Sequence, residues 1–508
     1  MSEMDAVAAL AQEISNLSPS LAGHRISQIY ARKLPREYRL RHGIYYTPKV
    51  IADKMLNDAI REGVDFEKYS AIDTSSGGAS FLAPLVRKMF RVDIKSKGKA
   101  LEDLERRLKG IELDPFGAWL SQFLVDCELI SLAPKLRNFP KLVTQGDALQ
   151  VTQENFDRYD YVVGNPPYGR VLDRSSIPME FLDVLTGSHN LYHVFIKLAF
   201  QLANHRGLVH LITPTSFIGG AYSQKLREWI EETGTALQFD FLERRTGVFE
   251  SVQQELVISI FRKGGRNKLS RCNTISVQGE ELEEHRMPPT QYLNEGSWVL
   301  PRHPSDSDAA KIFGQEYYSL ESIGYVAHTG HVVPHRHSEQ ISTKKRKHSY
   351  PLIWTEAVTP SGFDPKNSFS NGKPRWMEHK KLAPAPISEP CILVKRTSSK
   401  EQKKRIQVAV VPQSFINEYG GFYAENHLNV IVKSQVQRMR IEDLALVLSS
   451  EIVNSLFRCI NGTVTVSASE LSRIPLPCPV KLRESVETLD LTSTSSSIIR
   501  RAYGVSDG

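Results

Sequence analysis

The sequence predicts a mostly parallel α/β sheet in its first half and a mixed α+β domain in its second. Three observations carry that expectation. Short apolar runs alternate with longer amphipathic stretches from about 44 to 263, the pattern of strands joined by crossover helices. The glycine pair Gly264-Gly265 interrupts the pattern at a natural boundary. Beyond it, prolines, charge runs and short strand-like segments replace the regular alternation. At 508 residues the chain is long enough for two to four domains and more than one core.

In chain order, residues 1–40 read as a helical segment, with Val7, Leu10, Ile14 and Leu17 at helical spacing. Residues 41–265 form the first domain. Its strand candidates are Tyr69–Asp73, Lys109–Leu113, Leu142–Thr144, Tyr159–Val163, Leu208–Ile212, Gln238–Leu242 and Leu256–Phe261. Its helix candidates are Glu102–Leu108, Phe116–Ile130, Tyr192–Asn204 and Ser223–Glu232. Residues 266–487 form the second domain, with a helix near Ile441–Ile460. The serine- and threonine-rich tail, 488–508, is expected to be partly disordered.

Composition excludes several classes. No run of 18 apolar residues exists, so no transmembrane helix is expected. The opening Met1-Ser2-Glu3-Met4-Asp5 has neither the basic nor the apolar part of a signal peptide. Five scattered cysteines without a CxxC pair argue against a disulfide framework or zinc site, and for a reducing cytoplasm. Residues 1–265 hold 33 Lys+Arg and 32 Asp+Glu, a net +1. Residues 330–410 hold 16 basic and 6 acidic residues, a net +10. That local excess fits either a polyanion partner or a solvated lysine-rich loop.

The strongest chemical signal is a buried strand running from Tyr159 straight into Asn165-Pro166-Pro167-Tyr168. Two successive prolines remove two backbone donors and fix φ, so the strand stops in a rigid turn. In an open α/β sheet that turn lies at the ligand-binding edge. It presents the Asn165 side-chain oxygen and the Pro166 carbonyl as two acceptors, which suit an exocyclic amino group. Tyr168 offers a flat face for a planar ring. The alternative is a plain Pro-Pro loop with a core tyrosine.

Three earlier strand ends add to it. Asp73-Thr74-Ser75-Ser76-Gly77-Gly78-Ala79 is a small-residue loop that lets backbone approach a nucleoside-like ligand. It lacks both GxGxxG spacing and a phosphate-binding Gly-Lys-Ser/Thr. Glu112 ends the next strand, where a carboxylate can accept two ribose hydroxyls. Asp114 before Pro115 reads equally as a helix N-cap. Asp147, after a third strand, could accept from an adenine amino group. Singly, each acid has a structural reading. Their order before the Asn165–Tyr168 turn is what makes the set informative.

The series resembles the gamma class of S-adenosylmethionine-dependent DNA adenine-N6 methyltransferases, of the type II restriction–modification type. In that class the recognition domain comes last. Arg41-His42-Gly43-Ile44-Tyr45-Tyr46-Thr47-Pro48 matches its N-terminal motif. The resemblance implies a Rossmann-like methyltransferase domain over 41–265 and a DNA target-recognition domain over 266–487. It implies that Thr47, Asp73, Ser75, Gly77, Glu112 and Asp147 bind S-adenosylmethionine. Asn165, Pro166 and Tyr168 would be catalytic, with Tyr168 and Phe249 stacking on an adenine flipped out of duplex DNA. Lys344, Lys345, Arg346, Lys347, Lys395, Arg396, Lys403, Lys404 and Arg405 would contact DNA. A separate cognate endonuclease is an implied partner; no metal is implied.

The loop departs from the family's Asp-Pro-x-x-Gly-x-Gly, with Thr74 for the proline and Ala79 for the second glycine. The segment between Arg87 and Lys109 is longer than usual and reads as an inserted surface segment. Competing readings are an N4-cytosine enzyme, an amino-methyltransferase of RNA or protein glutamine, and a silent DNA-binding subunit.

Overall fold

The computed structural model describes residues 47–90, 97–151, 158–171, 173–187, 190–243, 255–265, 269–291, 293–294, 297–369, 372–380, 384–397, 404–461, 465–487 and 495–505. It also describes residues 17, 22, 25–26, 29–30 and 32–35. Most of the expected 1–40 helical segment, Phe249 and Lys403 lie outside these residues. The chain divides into two compact units, Met1–Gly296 and Ser297–Gly508.

The first unit opens with α1 (Lys49–Arg61) and β1 (Ala71–Asp73), followed by α2 (Leu82–Met89) and α3 (Lys97–Arg107). Then come β2 (Leu108–Glu112), α4 (Pro115–Leu132), β3 (Val143–Gln145) and β4 (Tyr159–Gly164). They are followed by α5 (Leu191–Leu202), β5 (Ala203–Pro214), α6 (Gln224–Thr233), β6 (Gly234–Leu242) and β7 (Leu256–Lys263). β8 (Leu269–Gln278), β9 (Glu281–Arg286) and β10 (Thr290–Gln291) complete it.

Among the described residues these strands form one ten-stranded sheet. Its order is β10-β8-β6-β7-β5-β4-β1-β2-β3, with β9 paired to β8 off the main path. From β3 through to β5 all neighbours are parallel. β7 runs antiparallel between β5 and β6. The chain builds β1, β2 and β3 outward in one direction, then returns to place β4 on the other side of β1. That reversal creates a crevice at the carboxyl ends of β1 and β4, where open α/β sheets bind ligands.

The sequence explains these elements. β4 is apolar and buried almost throughout, as a central parallel strand must be. α4 starts where expected: Asp114 caps it by accepting from the Gly117 N–H at 2.8 Å, and Pro115 takes the first helical position. The expected boundary at 265/266 differs from the structure's division at 296/297. The Gly264-Gly265 pair turns β7 into β8, which pairs with β6, so the sheet continues past it. The segment before Lys109 is not merely surface. Its Arg107 is buried and donates to the carbonyls of Phe66, Tyr69 and Met89, at 3.0–3.3 Å.

Burial of charge pins α1. Lys54 reaches both Asp58 and Asp240 at 2.6 Å, and all three side chains are buried. Gln238 and Asn273 donate to Asp240 as well. Unpaired, such charges would cost several kcal/mol each. Paired, they fasten α1 to β6 and β8.

The second unit holds a four-stranded antiparallel sheet of β11 (Tyr325–Thr329), β15 (Cys391–Lys395), β16 (Val408–Val411) and β18 (Leu428–Lys433), ordered β11-β18-β15-β16. A smaller mixed sheet joins β12 (Ile341–Ser342), β13 (Ser349–Ile353), β14 (Trp376–Glu378) and β17 (Tyr423–Ala424). The helices α7 (Ile441–Leu448), α8 (Glu451–Ile460), α9 (Pro479–Glu487) and α10 (Ser495–Ala502) follow. Of the tail expected to be partly disordered, residues 495–505 are ordered. Ile499, Ala502 and Tyr503 are buried in the unit's main core, and the Tyr503 hydroxyl donates to the Pro475 carbonyl at 2.7 Å. Three apolar anchors outweigh a serine-rich composition.

Candidate active site

The strand ends on either side of the β1/β4 crevice carry the residues singled out by sequence. Asp73 ends β1 opposite Val163 of β4. One of its oxygens accepts from the Ser75 N–H at 3.0 Å. The other, Oδ2, is buried with no hydrogen-bond partner. Burial, with the nearby Glu112 charge, lifts its pKa to about 7 against one opposing amide bond. A buried carboxylate oxygen without a donor is a site waiting for a cation or an N–H.

Gly164 ends β4 directly beside it. A side-chain carbon there would stand 3.1 Å from the Asp73 Oδ1. Any larger residue here would make the Asp73 side chain give by a few tenths of an ångström. Ser75 then bridges the two strands, its hydroxyl donating to the Asn165 carbonyl at 3.1 Å. The Asp73–Ala79 loop and the Asn165–Tyr168 turn are thus one hydrogen-bonded assembly.

Asn165 and Pro166 are buried at the crevice floor. The Asn165 side-chain oxygen accepts from the Tyr168 hydroxyl, which also reaches the Ile212 carbonyl of β5 at 3.4 Å. Tyr168 is 8% exposed, so most of its ring is covered.

Glu112 ends β2, and its carboxylate accepts from the Gly77 and Asp114 N–H groups at 2.8 and 2.9 Å. Burial raises its pKa against those two bonds. Gly77 (φ 51°) and Ala79 (φ 57°) both lie in the left-handed region. The position where the family has its second glycine keeps a glycine's backbone here, at a cost of roughly 1–2 kcal/mol for alanine. Ser121 of α4 stabilises that turn by accepting from the Ala79 N–H at 3.2 Å.

The Gly146 N–H donates to the Glu112 carbonyl at 2.9 Å, which sets Asp147 at the neighbouring strand end. Asp147 accepts from the Leu149 N–H at 3.0 Å. Thr47 is buried just ahead of α1; among the described residues no hydrogen bond joins it to the others. Sequence reasoning missed two features. Leu113 is an apolar side chain 50% exposed between two acids at the β2 edge. The Lys54–Asp240 pair orients α1 from 186 residues away. Leu113 was legible as a hydrophobe after a strand; the ion pair had no local signal.

The basic residues separate into two kinds. Lys344, Lys345, Arg346 and Lys347 are exposed between β12 and β13. Lys345 lies over the Trp376 ring at 5.1 Å, and Arg346 faces Glu378 at 3.4 Å. Lys404 is also exposed. Arg396 and Arg405 are half-buried and hold the fold, donating to the Asn426 carbonyl and to Asn461. Lys395 is half-buried beside them.

Residues 89–249 match the Eco57I restriction-modification methylase family, and this stretch contains Glu112, Asp147 and the whole Asn165–Tyr168 turn. That matched stretch makes the chain similar to the restriction–modification methylases. The chain is 26% identical to the type II methyltransferase M.BsuBI of Bacillus subtilis, over 63% of this chain and 65% of that protein. It is 23% identical to M.PstI of Providencia stuartii, over 68% and 70%. The alignment thus spans about two thirds of each relative's length. In fold the chain is similar to the Type IIL restriction-modification enzyme MmeI solved in complex with DNA. That TM-score is 0.53 at 12% identity, covering 97% of this chain and 80% of that one. No helix among the described residues is long and apolar enough to cross a membrane.

Proposed function

We propose that the chain transfers the methyl group of S-adenosylmethionine to the N6 amino group of an adenine flipped out of double-stranded DNA. It would modify chromosomal DNA in the cytoplasm as part of a restriction–modification system with a separate cognate endonuclease. One observation carries the reading most: the Ser75 bridge that joins Asp73, whose Oδ2 has no partner, to the Asn165 turn across the crevice.

The residues fit the cofactor. The unpartnered Asp73 Oδ2 suits its ammonium group, directly or through the loop amides. Glu112 retains lone pairs for ribose hydroxyls, and Asp147 for the adenine amino group. Leu113 offers an apolar wall to the adenine ring. Thr47 would meet the methionine end. When bound, the cofactor supplies an electrophilic methyl group on a sulfonium.

The protein's task is to make a poor nucleophile competent. The adenine amino lone pair is delocalised into the ring. Asn165 Oδ1 and the Pro166 carbonyl, accepting from the two amino hydrogens, favour a pyramidal nitrogen with its lone pair free. Such fixed dipoles and positioning supply several kcal/mol of barrier reduction. Tyr168 aims the Asn165 oxygen. Tyr168 and Phe249 would recover part of the flipping cost by stacking, at ~1–3 kcal/mol per base.

The test is single-molecule sequencing of DNA from a methylation-free host expressing the chain, with Asn165→Ala alongside. N6-methyladenine at one short motif, absent in the variant, supports the proposal. N4-methylcytosine alone keeps the mechanism and changes the base. No mark from a folded, cofactor-binding protein turns the reading towards RNA or protein glutamine.

A further inference from the structure

The second unit contains a cavity of about 640 Å³ that no sequence motif marked. It is lined by Lys433 and the segment from Gln437 to Glu442, by the β16 end at Val410–Gln413, and by Arg483 of α9. A smaller cavity of about 340 Å³ adjoins it through Arg438, Met439, Arg440 and Arg483, with Asp443 and Glu487 on its wall.

The charges around this groove are lopsided. The side chains of Lys433, Arg438 and Arg483 are exposed and have no ionic or hydrogen-bonding partner among the described residues. Arg440 is different, being held by Asp443 in a two-pronged pair at 2.8 and 2.9 Å. That pair cancels itself. Glu442 then stands alone against three cations on the larger cavity's wall.

The groove is also rigid where its cations sit. Ser434 N–H donates to the Gly324 carbonyl at 3.0 Å and Arg438 N–H to the Ile323 carbonyl at 3.1 Å. Tyr325 donates its hydroxyl to the Met439 carbonyl at 2.9 Å, and Met439 is buried beneath the loop. Gly324 (φ +90°) allows this close approach, since a side chain there would strike the Val436 carbonyl at 2.5 Å. Cations on a braced backbone lose less freedom on meeting an anion than cations on a floppy tail.

We propose that this groove is a phosphate-binding site for the nucleic-acid backbone, with Lys433, Arg438 and Arg483 as its ligands. It deepens the DNA-methylation reading and rests on it. It is separate along the chain from the Lys344–Lys347 cluster. Phosphate contacts of this kind position a duplex without reading its sequence. Free phosphate or a nucleotide has the same chemistry, and the experiment separates the two sources.

The full chain is titrated with a 30-base-pair duplex between about 50 and 300 mM salt, as wild type, Arg438→Gln, Arg483→Gln and the double variant. Thermal melting and S-adenosylmethionine binding are recorded for each. Each lost phosphate contact lowers the slope of log affinity against log salt by about 1. The double variant is therefore expected to lose about 2 in slope and to weaken equally on unrelated duplexes, with melting and cofactor binding unchanged. An unchanged slope in a folded double variant that binds DNA like wild type overturns the groove alone. Wild-type protein that binds no duplex overturns the DNA reading with it. Inorganic phosphate or a nucleotide raising the melting temperature of wild type but not the double variant, with DNA binding unaffected, assigns the groove to a free anion and overturns the nucleic-acid source.

Discussion

The Tyr168 hydroxyl donates to the Asn165 side-chain oxygen within a single turn of chain. The residue proposed to polarise the substrate is thereby aimed by the residue proposed to stack on it. Tyr168→Phe keeps the ring and loses the aim. One hydrogen bond of this sort contributes ~0.5–1.5 kcal/mol, so kcat should fall about three- to tenfold with KM for DNA little changed. Tyr168→Ala should raise KM as well. Asn165→Ala should lower kcat by ~100-fold or more, as removing one fixed polar group at a reacting centre does. Steady-state kinetics on methylation-free DNA separate these outcomes.

Asp73 gives the protein a pH signature. Its pKa is raised from 3.8 to about 7. A raised carboxyl stabilises the fold fully below the unfolded value and loses that contribution as pH climbs through the folded one. The cofactor-free protein should therefore become less stable between pH 4 and 7. With Asp73 as the proposed partner of the cofactor's ammonium, affinity should run the other way, because an ammonium needs the ionised carboxylate. Calorimetry should show affinity rising up to tenfold per pH unit below 7, then falling above ~8 as the ligand's own α-amino group deprotonates. Asp73→Asn should flatten the rising limb.

Lys54 is buried between two aspartates, so cutting it leaves buried negative charge. Lys54→Met is expected to destabilise the first unit by ~3–5 kcal/mol. Adding Asp240→Leu should restore part of that loss, since it removes the orphaned charge; Asp58 keeps Arg61. Urea unfolding of both variants tests the order. If the double variant is less stable than the single, the ion pair is not what holds α1.

Ala79 occupies backbone that favours glycine. Ala79→Gly relieves roughly 1 kcal/mol of left-handed strain and gives up a buried methyl of ~0.8 kcal/mol. Stability should stay within about 0.5 kcal/mol of the parent. Ala79→Val adds a β-branched side chain at positive φ and overpacks a buried site, so a loss of ~2 kcal/mol or more is expected. Cofactor affinity should drop with it.

Basic residues that look alike in sequence should behave differently. Lys344 and Lys347 are exposed and their side chains have no partner among the described residues. Changing both to Gln should reduce the salt slope of DNA binding by about 2 at constant melting temperature. Arg405→Gln should instead lower the melting temperature, because its guanidinium is half-buried against Asn461.

The carboxyl-edge chemistry was legible because each piece is local. A strand followed by an acid, a small-residue loop or a Pro-Pro turn announces itself within a dozen residues. Asp114 was legible as a cap for the same reason. Lys54 and Asp240 were not, since nothing near either residue says that it will be buried. The order of the tail around Tyr503 was not legible because composition weighs every serine, whereas packing weighs three hydrophobes. The Lys433–Arg483 groove was invisible because its cations are scattered singly over fifty residues and meet only when folded.

The Lys54–Asp240 tie also orders events in time. During synthesis Lys54 leaves the ribosome 186 residues ahead of its partner. At ~5–20 residues per second, α1 waits on the order of 10–40 s before β6 exists to receive it, and longer for Asn273. Nascent chains that stop short of β8 should carry the Asp73 loop and the Asn165 turn yet retain no cofactor, so that the proposed methylation would begin only once the last partner of the N-terminal helix has been made.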